Sequence, residues 1–354
     1  MYDPNGSLYG QPKPPGSHPD PLDERGLGRH HSSGRKKRRW DKSQWKIFFM
    51  TIVLYFLWRN GEGIASFLTE LRTEYQNDPH RIEQEIADLD QAVLRKPDDA
   101  EAWYRRAKAR SESGQYEEAI ADYDQAILHK GDFAKAWSGR GVAKYDLGQY
   151  REAIADLDQA IQYEPDNAAV WIYRAMAKDK LGQYEEAIAD YDQAILHKPD
   201  LYLAWRLRAT TKIRLDQNEE AIADLDQAIL LEPDDAQAWF RRGGAKYKLG
   251  QYEEALTDFD QAIILNPSYA DAFLMRGIVK NELDQYREAI ADLDQAIVFD
   301  PDNADAFLLR GMAMYGLGQD EEGLADLKFS LELAQKTGDS DLIERVESVI
   351  QAFD

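Results

Sequence analysis

Apolar and polar residues follow a pattern along residues 100–337 that recurs at a constant spacing. Within each period, two stretches carry apolar residues three or four positions apart, which is typical of amphipathic helices. A short turn such as Leu147-Gly148-Gln149-Tyr150 separates the two stretches, and the glycine indicates a left-handed helix stop. The pattern therefore predicts seven helix pairs. They begin at Ala100, Ala134, Ala168, Tyr202, Ala236, Ala270 and Ala304.

Small and aromatic residues recur at fixed positions of these seven units, counted from each start. Position 8 is Ala or Gly in every unit, and positions 20 and 27 are Ala in six units. Five units carry Gly at the turn, and Asp216 and Asp284 replace it in the other two. Small residues let helices approach closely around a larger aromatic group at position 4. That group is Trp103, Trp137, Trp171, Trp205, Trp239, Phe273 or Phe307.

This period, with these small and aromatic positions, resembles the tetratricopeptide repeat. The resemblance covers Ala100–Thr337 seven times, and Glu83–Pro97 supplies the second helix of an earlier unit. It implies an all-α fold, a right-handed superhelical solenoid of about seven to eight helix pairs, because one pair cannot bury its own apolar face. We therefore predict an atypical partial first repeat at 61–99, seven repeats at 100–337 and a C-terminal capping helix at 338–354.

Arginine and aspartate depart from the usual pattern of this family. Position 7, commonly Leu in the family, is Arg in all seven units, and position 25 is Asp in the partial repeat and the next six units. We expect each Asp to pair with the Arg of the following unit, which forms a structural ladder between units. Lys328 and Glu344 reverse both signs and form the expected last pair. The ladder comprises Arg106, Arg140, Arg174, Arg208, Arg242, Arg276 and Arg310 with Asp90, Asp124, Asp158, Asp192, Asp226, Asp260 and Asp294.

The same aspartates also belong to Asp-x-Asp sequences such as Asp122-Tyr123-Asp124, which suit a metal ion or a sugar nucleotide. That alternative requires convergent partners in one pocket, whereas this motif recurs along the array. Position 23 is Asp throughout, and Lys or Arg at position 11 is its candidate partner. The chain has no Cys, and no serine–histidine–aspartate arrangement or phosphate-binding loop is visible. We therefore predict no metal, no cofactor and no enzymatic activity.

Charge divides the chain into two unlike parts. Residues 1–61 hold 11 basic and 5 acidic residues, whereas the remainder holds 32 basic and 60 acidic residues, a net charge of −28. Such an acidic body repels nucleic acid and favours basic partners. Residues 1–39 are rich in Pro, Gly and Ser and end in basic residues, so we predict a disordered tail.

Residues 40–60 contain the apolar stretch Ile47–Trp58, with Trp40 and Lys46 before it. We predict one apolar helix that anchors the chain in a membrane, because Trp40–Trp58 would span roughly 27 Å as a helix. A cleaved signal peptide and a buried or peripheral helix are the alternatives. The basic residues before the stretch predict a single-pass membrane protein with a cytoplasmic N-terminus and the repeats on the opposite side.

The family resemblance implies that the first helix of each unit lines a concave face that binds a protein or peptide. Exposed apolar residues there indicate a binding surface, and we expect a basic or apolar partner segment, with self-association as the alternative and the oligomeric state open. The Lys and Asn set of a carboxylate clamp is not found, so an EEVD-type tail is not expected. The predicted partner-binding residues are Tyr104, Tyr145, Ile172, Met176, Arg206, Ile213, Phe240, Tyr247, Leu274, Ile278, Leu308, Met312 and Tyr315.

Overall fold

The computed structural model describes residues 79–353, and this part of the chain contains 16 α-helices and no strand. Each helix packs against the helices before and after it in sequence, so the described residues form a solenoid. The seven first helices begin at the residues that the repeat pattern predicts, and the all-α prediction is confirmed. In chain order the helices are α1 Pro79–Arg95, α2 Ala100–Glu112, α3 Tyr116–His129, α4 Ala134–Asp146, α5 Tyr150–Tyr163, α6 Ala168–Lys180, α7 Tyr184–His197, α8 Tyr202–Arg214, α9 Asn218–Leu231, α10 Ala236–Lys248, α11 Tyr252–Leu265, α12 Ala270–Glu282, α13 Tyr286–Phe299, α14 Ala304–Gly316, α15 Asp320–Thr337 and α16 Ser340–Phe353.

The turn inside each pair has the left-handed conformation that the sequence predicts. The five glycines at this position have φ between 73° and 78°, and Asp216 and Asp284 have φ of 55° and 57°. Asp enters this conformation more easily than most residues with a side chain. The left-handed residue ends the first helix and reverses the chain, so the second helix packs back against the first.

Alternate units differ in how the first helix begins. Asp99, Asn167, Asp235 and Asn303 cap α2, α6, α10 and α14, because each side chain accepts a hydrogen bond from a backbone N–H of the first turn. In the units between them the cap position holds Phe133, Leu201 and Tyr269, which form no side-chain cap. The array therefore has a secondary period of two units.

Small residues set the distance between the two helices of a pair. Ala107, Ala119 and Ala126 are fully buried in the first pair. In the second pair a Cβ atom on Gly141 would lie 2.8 Å from Leu157, which is closer than any van der Waals contact allows. A larger residue at position 8 would push the helices apart, so the small residues in the repeat are a packing requirement.

The C-terminal helix α16 covers the end of the array. Leu342 and Val346 are buried against Leu308 and Leu327 of the last pair, and this contact replaces the packing that a further repeat would provide. The expected Lys328–Glu344 pair does not form: no ion pair in the described residues joins the two side chains, and both are exposed.

The tail predicted at 1–39 and the apolar helix predicted at 40–60 lie outside the described residues. Among residues 79–353, no helix has the length and apolar character needed to cross a membrane. The longest helix, α15, has 18 residues and carries charged side chains, whereas a span requires about 20 mostly apolar residues. This finding contradicts the prediction of a single-pass membrane protein with a cytoplasmic N-terminus, and we correct it.

Candidate functional site

Each repeat contains a partly buried network of charged side chains, which we call a rung. In the fifth unit, Arg242 donates two hydrogen bonds to Asp258, at 2.9 Å from Nε and 2.6 Å from Nη2. Its third donor, Nη1, binds Asp226 of the preceding unit at 2.5 Å. Lys246 Nζ lies 2.7 Å from the second oxygen of Asp258, and the guanidinium group lies 4.7 Å from the ring centroid of Trp239. One arginine therefore joins two aspartates in neighbouring units.

The same arrangement recurs in all seven units. Each position-7 arginine contacts the predicted aspartate of the preceding unit and a second aspartate, at position 23 of its own unit. The first contact is the one that the sequence predicts. For the second aspartate the sequence offers the cation at position 11 as a candidate partner, and in six units that cation also contacts it. Six of these second aspartates are buried, and the seventh, Asp326, is half-buried. They are Asp122, Asp156, Asp190, Asp224, Asp258, Asp292 and Asp326.

The electrostatics of the rung keep the arginine charged. Burial alone lowers the pKa of Arg242, but the hydrogen bonds and negative charges of Asp258 and Asp226 outweigh burial and raise the pKa above its ordinary value. The carboxylates are occupied by guanidinium and ammonium donors. Among the described residues, no group of three or more His, Asp or Glu side chains is arranged to hold a metal ion. The rungs therefore connect the units of the scaffold.

The predicted partner-binding residues fall into three groups by exposure. Ile172 and Leu308 are only 4% and 5% exposed and belong to the packed core. The expected exposed apolar surface on the first helices is therefore absent at these two positions, where the side chains take part in stacking. Met312 is exposed. The remaining residues are half-buried, with part of each side chain open to a partner. They are Tyr104, Tyr145, Met176, Arg206, Ile213, Phe240, Tyr247, Leu274, Ile278 and Tyr315.

One pocket brings several of these residues together in the middle of the array. It has a volume of about 250 Å³ and lies between the first helices α8, α10 and α12. Three of its residues are among those predicted from the sequence. Three others are not, because two stand at position 6 of the repeat, which is outside the positions predicted to line the concave face, and the third is a lysine. We call this pocket the central pocket. Its main lining residues are Ile213, Phe240, Arg241, Tyr247, Lys248 and Met275.

Aromatic contacts hold the apolar wall of the central pocket in place. The ring of Phe240 lies 4.9 Å from Tyr269 and 5.9 Å from Phe259, measured between centroids. Tyr247 packs on Tyr252 at 5.8 Å. Burial raises the pKa of Tyr247, so its hydroxyl group is neutral at ordinary pH. The wall presents aromatic surface that is fixed before any partner arrives.

Two other hollows contain predicted residues but differ in character. Tyr104 lies in a hollow near the N-terminal end that also contains Glu85, Arg105, Lys108 and Glu112. Its charges are mixed, and little apolar surface is grouped there. Leu308 and Met312 line a second hollow against α16, where Arg345 binds Asp305 at 2.6 Å. The central pocket is therefore the place where predicted apolar residues from successive units converge.

Sequence comparison identifies the class of protein. Four profiles of the tetratricopeptide repeat match residues 100–133, 138–202, 207–280 and 277–318. Together these matches cover more than half of the chain, and the chain belongs to the tetratricopeptide repeat family. Repeat arrays of this family are in general scaffolds for protein–protein interaction. No curated protein sequence matches the chain.

Several solved structures share the fold. The C-terminal part of a tetratricopeptide-repeat protein from Cytophaga hutchinsonii is 18% identical, covers 68% of this chain and 98% of its own, and has a TM-score of 0.57. A tetratricopeptide-repeat protein from Parabacteroides merdae is 18% identical, with 70% and 98% covered and a TM-score of 0.54. PilW, a type IV pilus biogenesis factor, is 21% identical, with 60% and 97% covered and a TM-score of 0.53. At these identities the likeness concerns the fold.

Proposed function

We propose that the chain is an interaction scaffold that binds a segment of another protein in the groove formed by α8, α10 and α12. One observation carries the proposal: half-buried aromatic and aliphatic side chains from successive repeats converge in the central pocket. Apolar surface grouped in a concavity favours a ligand side chain that displaces water. The proposal gives the chain a role in assembly or recruitment and assigns it no catalysis.

The pocket suits an anchor residue of the partner. Phe240 and Tyr247 are held by neighbouring rings before binding, so little side-chain entropy is lost when a partner arrives. A few such aromatic residues supply most of the affinity in many interfaces, while the surrounding contacts exclude water. A segment that places one large apolar side chain in the pocket would therefore bind along the groove.

Self-association is a second candidate, and a different surface favours it. Position 29 of the repeat places highly exposed aliphatic residues on the second helices. Leu196, Leu230 and Ile264 are 66–72% exposed in three consecutive units. Light scattering of the full chain across concentration measures this alternative directly: a constant mass excludes it, and a mass that rises with concentration supports it.

A pair of matched variants tests the groove. We expect Phe240→Ala, Tyr247→Ala and Leu274→Ala, combined in the full chain used as bait, to lose the partners that the wild-type chain retains. The control combines Leu196→Ala, Leu230→Ala and Ile264→Ala, which removes apolar side chains from the second helices of nearby units. Circular dichroism confirms that both variants fold. Equal capture by the wild-type chain and the groove variant would exclude this groove, and loss in the control alone would assign binding to the other face.

A further inference from the structure

The central pocket contains an arginine without a counter-ion. Arg241 stands at position 6 of the fifth unit, is half-buried, and lines the pocket next to Phe240. Its Nε is buried and has no hydrogen-bond partner among the described residues. No carboxylate in the described part of the chain lies within ion-pair distance of its guanidinium group. The seven position-7 arginines, by contrast, are each held by two aspartates.

Two nearby carboxylates are already engaged by other cations. Asp235 lies 3.2 Å from Arg206, which also donates a hydrogen bond to Gln237. Asp216 accepts a hydrogen bond from Lys248 at 2.9 Å. Burial and the positive charge of Arg206 lower the pKa of Arg241, which shows that its surroundings disfavour the cation. Arg241 therefore stands in this pocket without an ion-pair partner, although the net charge of the repeat region is negative.

A partly buried cation without a partner is costly, because it loses hydration and gains no ion pair in return. A carboxylate of a partner would neutralise the charge of Arg241 and accept hydrogen bonds from its unused N–H groups. Arginine binds carboxylates with two parallel hydrogen bonds. Such a group must arrive beside the apolar wall formed by Phe240, Tyr247 and Met275. Because Arg241 lies beside the apolar wall, a partner that binds it with a carboxylate also places a neighbouring side chain against that wall.

We infer that the central pocket recognises a partner segment that carries an aspartate or glutamate beside a large apolar side chain. The apolar side chain enters between Ile213, Phe240 and Tyr247, and the carboxylate binds Arg241. This inference rests on the proposed function and adds the chemistry of the partner at that site. At this pocket we therefore expect an acidic residue of the partner, whereas the net charge of the chain favours a basic partner. The local ion pair determines which side chain is bound there.

The test uses peptides selected on the full chain. Random dodecapeptides displayed on phage are selected in parallel on the wild-type chain, on Arg241→Gln and on Arg105→Gln. Arg105 occupies the same repeat position four units earlier and is exposed, so its variant is the matched control. We expect the wild-type chain and the control to enrich sequences that pair an acidic with a large apolar residue. Arg241→Gln retains the apolar preference and loses the acidic one.

Synthetic peptides then measure the acidic contact without depending on any variant of the protein. The strongest selected peptide, with its C-terminus amidated, is compared with the same peptide carrying Glu→Gln or Asp→Asn, by fluorescence anisotropy. A charge-assisted hydrogen bond predicts at least about tenfold weaker binding for the neutral peptide on the wild-type chain. On Arg241→Gln the two peptides bind equally.

The outcomes separate the inference from the proposed function. Enriched peptides that need Phe240 and Tyr247 but show no acidic preference, or prefer Lys and Arg, overturn the inference and leave the groove intact. The inference is also overturned if the Glu→Gln substitution in the peptide weakens binding to the Arg241→Gln protein as much as it weakens binding to the wild-type chain. Failure to enrich any sequence, or enrichment that survives Phe240→Ala combined with Tyr247→Ala, overturns the proposed function itself.

Discussion

The two aspartates that bind Arg242 differ in burial, and this difference predicts different effects when each is removed. Asp258 is 1% exposed, accepts two hydrogen bonds from Arg242 and forms an ion pair with Lys246. The side chain of Asp226 is 51% exposed and binds the same arginine with one oxygen. We predict that Asp258→Ala destabilises the array much more than Asp226→Ala.

The expected magnitudes follow from what each substitution leaves behind. Without Asp258, the cations of Arg242 and Lys246 lose three contacts of 2.6–2.9 Å and stay partly buried. Removal of one partner from a buried ion pair costs about 3–5 kcal/mol. Without Asp226, the arginine keeps its two hydrogen bonds to Asp258, and an exposed ion pair contributes about 0–1 kcal/mol. The free energy of unfolding should therefore differ between the two variants by at least about 2 kcal/mol.

Urea unfolding followed by circular dichroism measures this difference, since a denaturing salt would screen the ion pairs. Amide hydrogen exchange in α10 and α11 adds a local measurement, because a solenoid can unfold in parts. Asp258→Asn is the control that keeps the side-chain shape and removes the charge, and we expect a large loss for it as well. Equal losses for Asp258→Ala and Asp226→Ala would refute the assignment of the buried aspartate as the principal partner.

Two further predictions concern packing and pH. Gly243→Ala places a Cβ 2.8 Å from the ring of Phe259, whereas the Cβ of Gly244→Ala meets nothing within 4 Å. Thermal unfolding should show that the first substitution lowers the free energy of unfolding by about 1–3 kcal/mol and that the second does not lower it. Equal effects would contradict the packing argument. Burial raises the pKa of Tyr123 from 10.0 to about 12, because the folded state favours the neutral phenol over the phenolate. This preference contributes up to about 2.7 kcal/mol to the free energy of unfolding. The contribution is fully present below pH 10 and is lost as the pH rises to about 12. Tyr123→Phe should remove this part of the alkaline loss of stability, and an unchanged pH profile would argue against it.

The repeat period determined most of the fold in advance. Two periodic apolar stretches and a turn glycine define each helix pair, so the helix starts and the left-handed turns, including those at Asp216 and Asp284, could be predicted. The second partner of the arginine could not be assigned with the same certainty. Asp90 precedes Arg106 and Asp122 follows it at the same separation along the chain, and sequence spacing alone does not show which of them is buried.

The candidate site depended on features that a periodic pattern does not contain. Ile172 and Leu308 share a repeat position with half-buried Phe240 but lie in the core, because the packing around each unit differs. The unpaired state of Arg241 depends on which neighbouring carboxylates are already occupied, such as Asp235 with Arg206. Such differences between units arise from three-dimensional packing, and a periodic sequence pattern does not contain them.

Photo-crosslinking tests the central claim most directly. A photoreactive phenylalanine analogue replaces either Phe240, in the groove, or Leu230, which is 72% exposed on a second helix. The full chain carrying the analogue is produced in the cells that naturally make this protein. We predict that the analogue at position 240 links to a protein segment carrying an acidic residue beside a large apolar one, and that position 230 does not link to that segment. A partner captured from position 230 and absent from position 240 would contradict the account.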